Sequence, residues 1–131
     1  MDEIRNHLIE IEEEISLAFN QNDLDTLLGY FDKEIVGFSS TIHERYNGLT
    51  ELRRTFEFYY DESGKMEYFT SSPVIQIHEC TAIASFYWTV AIIHGASRHE
   101  VNGRGTHVFV RKANNQWKIV HEHFSREHHD R

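Results

Sequence analysis

Ile4, Leu8, Ile11, Ile15 and Phe19 recur three or four residues apart, a spacing that predicts a long amphipathic helix over residues 3–20. Glu10 and the run Glu12–Glu14 are read as its water-facing side. Asn22 or Asp23 is placed to cap a shorter helix carrying Leu24, Leu27, Leu28 and Phe31. Asp32-Lys33-Glu34 is then expected to turn the chain into a short strand around Ile35–Phe38. A third helix is expected from about Leu49 to Tyr60, with Leu49, Leu52 and Phe56 as its buried stripe and Asp61-Glu62-Ser63-Gly64 as its end.

From Lys65 onward the pattern changes to β-branched and aromatic runs, which predict four long strands in succession. Short polar links between them suit an antiparallel meander and not helical crossovers. Pro73 cannot donate to a ladder, so its strand belongs at an edge or carries a bulge. Helices followed by such strands make an α+β domain over residues 1–125, with the helices on one face of the sheet, and residues 126–131 form a polar C-terminal tail. The run Ala82–Ile93 is apolar at both parities, so the second face is expected to be covered as well, by another copy of the chain. Phe86, Trp88, Val90, Ile92, Val108, Val110, Val120 and Phe124 are the candidates for that dimer surface.

Composition narrows the function. The formal charge is −8, and no Lys/Arg run exceeds a pair, which argues against nucleic acid and anionic membranes as partners. One cysteine, Cys80, permits no internal disulfide, and Met1 leads into a charged helix instead of an apolar signal segment. Both observations point to a cytoplasmic setting.

Chemistry enters through Trp117–Phe124, which reads WKIVHEHF. In a regular strand Trp117, Ile119, His121 and His123 share one face. If Ala113-Asn114-Asn115 is a three-residue turn with an Asn in the left-handed conformation, Arg111 lies opposite Trp117. Continuing the count sets Phe109 across from Ile119, His107 across from His121, and Gly105 across from His123. Three histidines then share a patch beside space left by a glycine, with Ser85, Tyr87, Thr89 and Ala91 of the preceding strand on the same side.

The helix signature NDLDTLLGYFDKEIVGFS and the ending RGTHVFVRKANNQWKIVHEHFS resemble the SnoaL-like branch of the nuclear transport factor 2-like superfamily. Within it the pattern is similar to the association (hub) domain of calcium/calmodulin-dependent protein kinase II. The resemblance implies a cone-shaped, cystatin-like α+β fold. In it a curved, mostly antiparallel sheet wraps a long N-terminal helix, two shorter helices complete the cone, and a pocket is enclosed, commonly in a homodimer. It also sets His107 and Tyr87 where the hub domain carries pocket arginines, and His107, His121 and Tyr87 loosely resemble the pocket set of fungal dehydratases of this fold.

Three functional readings follow. The first is a small, largely apolar ligand held by His107, His121, His123, Tyr87, Thr89, Phe109, Trp117 and Ile119, with neutral imidazoles orienting it. The second is general acid/base catalysis of an isomerisation, dehydration or hydrolysis, with His107, His121, His123 and Tyr87 as candidates. The third is a homo-oligomerisation module without catalysis. A zinc site on the three histidines is geometrically permissible, but no acidic residue on that face supports it, so neither metal nor cofactor is expected.

Overall fold

The computed structural model describes residues 2–128. In chain order the elements are α1 (Asp2–Asn20), α2 (Leu24–Leu28), β1 (Phe31–Phe38), β2 (Tyr46–Asn47), α3 (Gly48–Ser63), β3 (Lys65–His78), β4 (Thr81–His94), β5 (Ser97–Arg111) and β6 (Trp117–Arg126). The six strands form one curved sheet in the order β2-β1-β6-β5-β4-β3, antiparallel except where β1 runs parallel to β6. The α+β architecture is the one the sequence predicts.

Local chemistry explains most boundaries. Asp23 caps α2 by accepting from the Thr26 amide at 3.3 Å. Gly64 ends α3 at φ 70°, a conformation that costs glycine nothing. Pro73 lies in β3, which is both an edge strand and bulged between Ser71 and Val74, with Ser72 at φ 53°. Two boundaries differ from expectation. Strand β1 begins at Phe31, so Asp32-Lys33-Glu34 lies in the strand and not in a turn, and β6 continues through Arg126, into the expected tail. The part of that tail from 129 onward, His129 included, lies outside the described residues.

The core forms where α1 and α3 cover the inner face of the sheet. Leu8, Ile11, Ile15 and Phe19 of α1 are buried together with Leu52 and Phe56 of α3 and with Phe31, Ile35, Phe109 and Ile119 of the sheet. Asn20 fastens the end of α1 to β3 through two backbone hydrogen bonds. Its Nδ2 donates to the Tyr68 carbonyl at 3.0 Å, and its Oδ1 accepts from the Tyr68 amide at 2.7 Å.

The β5–β6 hairpin decides which side chains reach the interior. Its turn is as predicted: the Lys112 amide donates to the Gln116 carbonyl at 2.7 Å, Asn115 sits at φ 62°, and Arg111 pairs with Trp117 and Phe109 with Ile119. Beyond that pair the register shifts, because Val108 is opposite His121 and Val120 is an extra residue in β6. This bulge reverses the parity of the rest of the strand. His107 faces Glu122, Thr106 faces His123, and Gly105 faces Phe124.

Candidate functional site

The interior histidine is held by acids. His107 is 1% exposed, and its Nδ1 lies 2.7 Å from Glu12 Oε2 while its Nε2 lies 2.7 Å from Glu122 Oε2. Tyr46 donates its hydroxyl to Glu122 Oε1, completing a buried chain from β2 through β6 and β5 to α1. Burial by itself lowers the His107 pKa, but the charge and hydrogen bond of Glu12, followed by those of Glu122, override it and push the imidazole up to about 10. The ring is therefore an imidazolium at neutral pH and donates from both nitrogens. Burial, then the Glu122 charge, raises the Tyr46 phenol far above its usual range, so it stays a neutral donor.

Above this chain the helices and sheet enclose a cavity of about 250 Å³. Glu122 and His107 lie at its base, and Phe19, Phe56, Tyr68, Trp88 and Phe124 supply much of its wall. Its exposed wall residues, Thr41, Phe58, Glu62 and Arg126, mark where it opens. Tyr59 stands between, its phenol pushed up to about 12 by burial, while its bonds to Ser39 and Thr41 pull the other way. Tyr68 is raised well above the ordinary value by burial and by the nearby Glu12 and Glu122 charges.

The expected three-histidine patch does not form. Only His107 points inward; His121 and His123 fall on the outer face, where His123 packs on Phe38 with ring centroids 5.1 Å apart. Tyr87 and Thr89 are also on the outer face: Tyr87 is 58% exposed, and Thr89 donates to Asn102 Oδ1 at 2.7 Å. The reason is strand β4's own alternation, which turns Ala84, Phe86 and Trp88 toward His107. Phe109, Trp117 and Ile119 are inward as expected, but they are buried in the core and do not line the cavity. Gly105 leaves no open space, because a Cβ there would lie 2.6 Å from the Phe86 ring and 3.1 Å from that of Phe124.

The expected dimer surface divides for the same reason. Val108 and Val110 are half-buried on the outer face, and Val120 is half-buried at the bulge. Phe86, Trp88, Val90, Ile92 and Phe124 instead face inward, toward the helices and cavity. The reading of Glu12 as solvated is likewise corrected: it is 3% exposed, whereas Glu10, Glu13 and Glu14 do face water. Glu12 and Glu122 are thus the site residues that the histidine-centred reading missed. Among the described residues, no group of three or more His, Cys, Asp or Glu is arranged to hold a metal ion, and no helix is long and apolar enough to cross a membrane.

The fold agrees with what the sequence matches. The family profile described as the SnoaL-like domain covers residues 10–127, and the chain belongs to this family. Its fold is that of the nuclear transport factor 2-like, cystatin-like proteins. A nuclear transport factor 2-like superfamily protein from Salmonella enterica superposes with a TM-score of 0.86 at 17% identity, covering 99% of this chain and 95% of that one. The S. rosetta CaMKII hub gives 0.76 at 22%, covering 92% and 94%. A protein from Catenulispora acidiphila, solved in complex with S-DNPA, gives 0.86 at 11%, covering 96% and 95%. No curated protein matches the chain.

Proposed function

We propose that the protein binds a small, largely apolar molecule in the cavity between its sheet and helices. One observation carries this reading: a cavity of about 250 Å³ that opens to solvent at one end, walled mainly by aromatic and aliphatic side chains, has a buried carboxylate, Glu122, at its base. Ligand sites combine an apolar wall with a few fixed polar groups in this way, and the volume suits a molecule smaller than the drug-sized ligands of larger pockets. The similar Catenulispora protein was solved in complex with S-DNPA, which is in keeping with a ligand-binding reading of this fold. Native mass spectrometry of the purified protein, paired with a Val90→Trp variant that fills the cavity, tests the reading. A bound mass or a thermal shift with small aromatic compounds, lost in the variant, supports it; identical responses in both proteins sink it.

General acid/base chemistry is the second reading, favoured by the hydrogen-bonded chain Tyr46–Glu122–His107–Glu12 that ends at the cavity. Each His107 nitrogen is used up by one bond, whereas the Glu122 oxygens keep lone pairs beyond those given to Tyr46 and His107, so the group that meets a substrate proton is Glu122 and not the histidine. A homodimer through the outer face accompanies either reading. Phe69, Val74 and Tyr87 are exposed there, and Val108 and Val110 are half-buried. Light scattering at micromolar concentration should give a dimer mass, and Val108→Asp with Val110→Asp should give a monomer; a monomeric wild type ends that part of the reading.

A further inference from the structure

The hydrogen bonds of the acid chain beneath the cavity set its proton count. Two carboxylates flank one imidazole, and each of the two 2.7 Å contacts holds one proton between nitrogen and oxygen. Two protons shared among two carboxylates and an imidazole ring leave one net negative charge, whichever atom each proton rides on. Tyr46 contributes a neutral hydroxyl and changes nothing in this count.

The rest of the cavity does not cancel the charge. Tyr59 and Tyr68 face it as neutral phenols, their pKa values raised. Glu62 and Arg126 carry opposite charges at the exposed mouth, where water screens them. A buried charge without a counter-ion is expensive, and a bound guest can supply one. Aromatic rings line the same cavity as Glu122. Phe124 lies 5.6 Å from the His107 ring, 6.0 Å from Trp88 and 6.4 Å from Tyr68, centroid to centroid, and all four residues line the cavity.

Resting on the cavity reading above, we propose that the ligand is an organic ammonium with an apolar body, its cation held by Glu122 beside the aromatic cluster of Tyr68, Trp88 and Phe124 that lines the same cavity. Aromatic faces attract a desolvated cation, and the ion pair with Glu122 adds to that attraction. The apolar body occupies the space walled by Phe19 and Phe56.

Three probes of one shape test the charge: phenethylammonium, phenethyl alcohol and 3-phenylpropionate, titrated calorimetrically into the wild-type protein. The ammonium should bind at least ~10-fold more tightly than the alcohol, and the carboxylate should not bind. Glu122→Gln, checked for folding by circular dichroism, should abolish the preference while keeping alcohol binding. Equal binding of ammonium and alcohol, or a preference for the carboxylate, overturns the charge proposal and leaves the cavity reading standing. Failure of all three probes up to millimolar concentration overturns both. The wild-type comparison decides the matter even if Glu122→Gln does not fold.

Discussion

His107 and Glu122 stand opposite each other on β5 and β6, Nε2 2.7 Å from Oε2, because Val120 is an extra residue in β6. Without that bulge, regular alternation after Ile119 would turn His121 and His123 inward and Glu122 outward. The bulge replaces a histidine cluster with an ion network, and so changes the interior from a neutral donor–acceptor surface to a negatively charged one. Chemistry at this site therefore follows from a backbone irregularity as much as from residue types.

His107→Leu should destabilise the protein by about 3–5 kcal/mol, the usual cost of removing one partner from a buried ionic network. The leucine leaves Glu12 and Glu122 buried without their shared hydrogen-bond donor. Urea denaturation at pH 7 measures the loss. A change below about 1 kcal/mol would mean that the two carboxylates gain nothing from the ring.

The raised His107 pKa gives stability a definite slope. Below the unfolded value of 6.5 both states hold the proton, and the contribution is complete; between 6.5 and about 10 only the folded state holds it. Unfolding then releases a proton, so stability should fall with rising pH by up to about 1.4 kcal/mol per unit across that window. The comparison is wild type against His107→Gln, by denaturation at several pH values below 10, before the buried tyrosines add their own dependence. Parallel curves for the two proteins would show that His107 does not carry the slope.

His121→Ala and His123→Ala should leave cavity binding unchanged. Both side chains are on the outer face, and His123 is exposed, so its substitution should alter stability by no more than about 0.5 kcal/mol. The measurement is ligand affinity by calorimetry beside the melting temperature. A large loss of affinity in either variant would restore the three-histidine site.

Much of this arrangement is legible in the sequence, and the illegible part has an identifiable origin. The α1 stripe, the meander and the hairpin register as far as Phe109 opposite Ile119 rest on local periodicity and turn chemistry. Past Ile119 the register depends on packing. The sequence does carry a trace of the shift, since the inward aromatic residues change from odd positions (Trp117) to even (Phe124), which a regular strand does not do. Glu12 is similar: it follows Leu8 by four residues and precedes Ile15 by three, so it falls on the apolar stripe although it sits within an acidic run. Its partner across the core, His107, is 95 residues away, and no local pattern announces such a pair.

Gly37→Ala should break the link between Tyr46 and Glu122. In the sheet Gly37 lies between them, paired with Tyr46 on one side and Glu122 on the other, so the tyrosine ring crosses over the glycine to reach the carboxylate. A Cβ at Gly37 would lie 2.6 Å from both Tyr46 Cζ and the Glu122 carbonyl, and the backbone oxygen has little room to yield. Displacing the ring costs about 1–3 kcal/mol in overpacking and takes the Tyr46 hydroxyl off Glu122. A double-mutant cycle identifies the mechanism: Tyr46→Phe should be clearly destabilising in the wild type and close to neutral once Gly37 is alanine, because the hydrogen bond is already gone. Equal costs of Tyr46→Phe in both backgrounds would mean that the ring keeps its bond and that Gly37 serves packing alone.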